Sequence, residues 1–175
     1  GVDPLERYDI RDRNPTAVYT QGPVKLGMGM EESLVGIRGD GKRLGVLGVT
    51  LENNWEGNLE EVNNFEIQVP NSMELRDCDH EMRSIDRKDS VYYNSCDSEK
   101  CRSDLINYRF YEMTGKGKRS LKNIESFETV RCTVYVFSRD HLLDNSPVST
   151  KYFRTLINYE YKTEAYDIVH VKKKD

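Results

Sequence analysis

The chain has 175 residues, 37% of them hydrophobic and 32% charged, which allows one domain but too few apolar residues to bury more than one face of each element. Its 26 Lys and Arg nearly cancel 30 Asp and Glu, for a formal net charge of -4, so no nucleic acid is expected as a partner, because phosphate binding needs a clustered cationic excess. No run reaches the ~18 apolar residues of a membrane span and no basic-then-apolar leader opens the chain, so no membrane insertion is expected within this segment.

Residues 1–20 are polar, contain Pro4 and Pro15, and read as an extended arm. Within it Thr16, Ala17, Val18 and Tyr19 form a β-prone stretch suited to adding onto a neighbour's sheet. Residues 24–30, 44–51 and 62–69 then alternate as strands, separated by Gly39-Asp40-Gly41 and by the polar turn at 53–57. Trp55 lies in that turn, where core insertion is the expectation and an exposed contact residue the alternative. Pro70 ends the third run, since it lacks the N–H a ladder needs.

Residues 77–102 lose periodicity and read as an elaborated loop carrying a short strand-like stretch, Ser90-Val91-Tyr92-Tyr93. Residues 105–113 read as a strand, and Thr114-Gly115-Lys116-Gly117-Lys118 as the turn that ends it. Residues 127–138 carry apolar side chains on both faces, as an interior strand does, which buries Cys132. Phe153, Thr155, Ile157, Tyr159 and Tyr161 share one face of a further strand. After Lys162-Thr163-Glu164, the alternation of Tyr166, Ile168 and His170 with Asp167, Val169 and Val171 predicts an antiparallel hairpin. Only residues 58–63, 81–88 and 139–144 have the composition of a helical turn. Eight or nine short strands without crossover helices predict an antiparallel sandwich, with a closed barrel as the competitor.

Cys78, Cys96, Cys101 and Cys132 form an even set compatible with two disulfides and an oxidising compartment. Of three possible pairings, the favoured one joins Cys96 to Cys101 across a short loop and Cys78 to Cys132 from a strand end to a central strand. Four reduced thiols are the alternative. Cys78, His80, Cys96 and Cys101 also have the atom types for Zn2+, though not the paired spacing of ribbons and fingers.

The strongest local chemistry is Asp77-Cys78-Asp79-His80-Glu81, where Asp77, Asp79 and Glu81 could supply oxygens to Ca2+; otherwise they form a solvated acidic loop. An EF-hand starting at Asp77 would want Gly and Glu where Met82 and Lys88 stand. No nucleophile elbow, zinc-protease helix or phosphate-cradling loop occurs, and His141 and His170 stand alone, so no enzymatic activity is expected. Tyr92, Tyr93, Tyr108 and Tyr111 would serve either as a binding face or as half-buried sandwich residues. Lys172-Lys173-Lys174 reads as a solvated charge run.

Two stretches, LGVLGVTLENNWEGNLEEVNNFEIQVP and LKNIESFETVRCTVYVF with the following YFRTLINYEYKTEAYDIVHVKK, resemble the immunoglobulin-like envelope sandwiches of archaea and bacteria, the class of CARDB-type and S-layer-associated domains. The resemblance implies an all-β, antiparallel immunoglobulin-like β-sandwich over residues 21–175, here with a Cys-bearing loop insertion at 77–102. It also implies a noncatalytic structural or interaction module, extracellular or at the cell surface and anchored by a segment outside this chain. Such a module is a subunit or spacer of an extracellular assembly, with other copies of itself or other cell-envelope proteins as partners. The alternative is a ligand-binding module whose acidic Cys-rich loop holds a cation or glycan. The resemblance supplies no catalytic residue and no obligatory cofactor.

Overall fold

In a chain whose apolar residues recur mostly at every second position, backbone hydrogen bonds must be satisfied between strands. The computed structural model describes residues 18–31, 36–37, 39–144, 146 and 149–174. Among the described residues nine strands form two sheets: β1 (Val18–Tyr19), β2 (Val24–Met30), β3 (Lys42–Asn53), β4 (Asn58–Pro70), β5 (Met73–Arg76), β6 (Met82–Ile85), β7 (Tyr108–Met113), β8 (Phe127–Val136) and β9 (Arg154–Lys162). The five-stranded sheet has the order β1-β2-β3-β8-β5 and the four-stranded sheet β6-β7-β4-β9. Every pairing is antiparallel, which makes the fold all-β and sandwich-like.

The core lies between the sheets. Leu47, Val49 and Leu51 of β3 alternate inward beside Val130, Cys132, Val134 and Val136 of β8, the interior strand expected from its two apolar faces. From the opposite sheet, β4 contributes Leu59, Val62, Phe65, Ile67 and Val69. The first three recur at every third residue, a spacing that imitates a helix. Register shifts between Leu59 and Glu61 and between Val62 and Asn64 each absorb one extra residue and keep all three pointing inward. Residues 58–63 are therefore strand and not a helical turn.

The helices are one or two turns long and are set by their caps. Residues 77–102, expected as irregular loop, contain β6, a 3-10 turn (Arg87–Asp89), α1 (Val91–Asn94) and the start of α2 (Glu99–Leu105). The stretch Ser90-Val91-Tyr92-Tyr93 is not a strand: the Ser90 hydroxyl accepts from the Tyr93 N–H and starts α1. The stretch 81–88, given a helical turn above, supplies β6 and, at its end, the start of the 3-10 turn. Leu105 closes α2, so the following strand begins only at Tyr108. Thr114 caps α3 (Gly115–Arg119) where a plain turn was expected, while α4 (Arg139–Leu143) falls where the composition placed a helical turn. Among the described residues no helix is long and apolar enough to cross a membrane.

Both disulfides have the favoured pairing, Cys78 with Cys132 and Cys96 with Cys101. With all four sulfurs so bonded, the zinc reading that needed Cys78, Cys96 and Cys101 as thiolates is overturned. Cross-links of this kind are maintained in oxidising compartments.

The predicted hairpin does not form. β9 ends at Lys162, and residues 163–174 carry no strand. A three-residue reversal favours a Gly or Asn in the left-handed region, and Thr163-Glu164-Ala165 offers neither.

Candidate functional site

Around Glu66 and Gln68 the four-stranded sheet is buried on both faces. On β4, Glu66 and Gln68 alternate with the core residues and so face away from the core, yet they are only 1% and 0% exposed. Their cover comes from the segment between β6 and β7, whose α1 lies against β4. Phe110, the register partner of Gln68, is buried there and meets the Tyr93 ring edge-on at 6.5 Å.

Glu66 fastens this cover. Its carboxylate accepts from the Ser90 hydroxyl at 2.5 Å and from the Val91 and Tyr92 N–H groups at 2.7 and 3.4 Å. Gln68 Nε2 donates to it at 3.4 Å. The acceptor thus meets the first N–H groups of α1, which have no partner inside the helix. A negative charge is also favoured at that end.

Next to Glu66 the outer face becomes polar and aromatic. Arg154, in register with Gln68, donates to the Tyr92 hydroxyl at 3.4 Å and lies over the Tyr108 ring, 5.3 Å from its centre. Hydrogen bonding to Tyr92 holds the guanidinium pKa above its ordinary value; partial burial works the other way, and Tyr108 adds to the rise. Arg154 remains a fixed cation at the first residue of β9.

From there a cleft of about 300 Å³ follows the seam between the two sheets, lined by Thr20, Gln21, Val24 and Leu26 on one side and by Thr155, Leu156, Ile157 and Tyr159 with Tyr92 on the other. The cleft flanks the outer edge of β9, which pairs only with β4 among the described strands. At nine residues this is the longest edge strand among the described residues, against two in β1 and four each in β5 and β6.

At the far end of β9, the Tyr161 hydroxyl donates to Asn53 Oδ1 at 2.6 Å, and Trp55 meets the Tyr161 ring edge-on at 6.4 Å. Trp55 is not inserted in the core; it is 55% exposed. Lys162 and Glu164 form an ion pair at 2.9 Å that raises the lysine pKa and lowers that of the carboxyl, each chiefly through their hydrogen bond.

The other residues singled out in the sequence are dispersed. Thr16 and Ala17 lie outside the described residues. Val18 and Tyr19 pair with Met28 and Gly27 of their own chain, extending their own sheet. Asp79 accepts from the Arg131 N–H and bonds His80 Nδ1, both at 2.8 Å. Glu81 accepts from the Thr114 hydroxyl at 2.8 Å and faces Lys116 at 3.8 Å. Asp77 occupies a left-handed backbone position, with φ 52°. The three carboxylates do not converge, and no group of three His, Cys, Asp or Glu among the described residues is placed to hold a metal ion. Of the four tyrosines, Tyr92 lines the cleft and Tyr108 carries Arg154. Tyr93 packs on Phe110, and the buried Tyr111 accepts from the Leu75 N–H across the core.

Glu66 and Arg154 escaped the sequence reading because polar side chains at alternate strand positions look solvent-facing, whereas of the cleft residues Tyr92 was legible as a binding-face candidate and Thr155, Ile157 and Tyr159 as one strand face. The available signal was indirect: Val91, Tyr92, Tyr93 and Leu105 need a surface to cover. No family model, no curated protein and no solved structure matches this chain.

Proposed function

We propose that this chain is a noncatalytic structural or interaction module of immunoglobulin-like type. It works at the cell surface as a subunit or spacer of an extracellular assembly, and it engages its partner by strand addition along β9. The observation that carries the reading is the nine-residue edge of β9 with the cleft beside it. An edge of that length presents unpaired N–H and C=O groups that another strand can satisfy, and the cleft gives side chains of an added strand a place to enter. Two disulfides support a location outside the cytoplasm.

The test places a photoreactive residue at Asn158, exposed on β9, or at Arg76, exposed on the remote edge strand β5. Full-length protein in intact producing cells is labelled with a membrane-impermeant biotin reagent and irradiated. Conjugates that carry biotin and form from position 158, not from 76, are expected. Protein inaccessible to the reagent, or equal conjugation from both positions, would overturn the reading.

A further inference from the structure

Building on the strand-edge reading above, we infer that residues 165–171 of one copy are the strand that completes the β9 edge of a second copy. This segment is exposed in a way its composition opposes. Tyr166 and Val171 are 91% exposed, Val169 78% and Ile168 70%. Its residues alternate and are rich in β-branched side chains, the composition of a strand without a sheet. The hydrogen bond described within it is local, from the Ile168 N–H to Asp167 Oδ1.

Two features turn the segment away from its own sheet. The link 163–165 lacks a residue suited to the positive φ of a short reversal. Gly57, in the turn between β3 and β4, packs against the Lys162 carbonyl and Thr163 so closely that an added Cβ would overlap both. The end of β9 is thereby wedged, and the strand-forming residues beyond it continue outside the sheet. Failure of self-closure across a short hinge is the condition that favours exchange between copies.

Length selects the acceptor. Seven extended residues span roughly 23 Å, which the nine residues of β9 accommodate and the four of β5 or β6 do not. The cleft has room on the order of two large side chains, enough for one face of the incoming strand, such as Tyr166 and Ile168. Thr155, Ile157 and Tyr159, half-buried where the seam stays open, would be covered by it.

The experiment separates donor from acceptor by sedimentation velocity. One chain ends at Glu164 and keeps the edge. Another carries Ile157→Lys, an inward charge that discourages edge pairing, and keeps the segment. The parent is expected to self-associate, each altered chain to remain monomeric, and their mixture to form a one-to-one dimer. A peptide of residues 165–174 should bind the shortened chain saturably, and its Val169→Pro form about tenfold more weakly or worse, having lost a ladder donor. The peptide assay decides the matter should Ile157→Lys fail to fold.

A shortened chain that still associates, but not when Ile157→Lys is added, would overturn the assignment of the segment and leave the β9 edge standing. Association unaffected by either change would overturn both. A monomeric parent whose shortened form binds the peptide would mean that the segment closes its own edge, which overturns exchange between copies. A monomeric parent with no peptide binding overturns the inference outright.

Discussion

Glu66 concentrates the cost and benefit of burying a carboxylate. Its oxygens are surrounded by a hydroxyl, two helix N–H groups and an amide, so the group stays hydrogen-bonded where an unpaired one would be heavily penalised. Glu66→Gln turns one acceptor into a donor that faces other donors. The expected loss is about 2–3 kcal/mol, read as a lower urea midpoint together with faster hydrogen exchange at Val91 and Tyr92. An unchanged midpoint would mean that the covering segment is held by packing alone. Gly57 carries a different constraint, because the Lys162 carbonyl is backbone and cannot swing aside. Gly57→Ala should cost about 1–3 kcal/mol and should perturb the NMR shifts of Lys162 and Thr163 before those of β8.

At the scale of elements, the two cross-links differ in what they enclose. Cys78 and Cys132 are 54 positions apart, Cys96 and Cys101 only 5. By loop closure alone the long link restricts the unfolded chain by about 4 kcal/mol and the short one by about 2. Cys132 is also buried in the core, so replacing the first pair with alanine leaves a void as well. Denaturant titration of the two double-alanine proteins should rank them in that order; the reverse ranking would show that the short loop organises the cover. The elements themselves were legible in the sequence where one face was wet. β2, β3 and β9 declare themselves by alternation and β8 by apolar residues on both faces, and of the three possible pairings of the four cysteines the favoured one is the one observed. β6 has no apolar alternation to show. α1 to α4 are too short for a 3.6-residue period, and their signal was the single Ser or Thr before each, which accepts from an N–H in the first turn. β4 misled through its bulges, and Glu66 because its cover comes from residues more than twenty positions on.

At the scale of the whole molecule, β2 with the link before it meets β9 along one seam, with Thr20, Val24 and Leu26 opposite Thr155, Ile157 and Tyr159. The single Trp of the chain stands at the end of that seam. Its fluorescence should be quenched readily by iodide in the monomer and should become shielded and blue-shifted once β9 is paired. Unchanged quenching across an association transition would place the contact elsewhere. The seam also has a history in time. The Thr155 hydroxyl reaches the Glu66 carbonyl across 89 positions, so at bacterial to eukaryotic elongation rates β4 leaves the ribosome roughly 4–18 s before the strand that closes it. Through that interval sheet closure waits on translation, and the nascent chain carries bare the edge that β9 later covers. Synthesis rate and chaperone supply thus become determinants of yield for this fold, and slowing the codons between β4 and β9 should raise the aggregated fraction without altering the folded product.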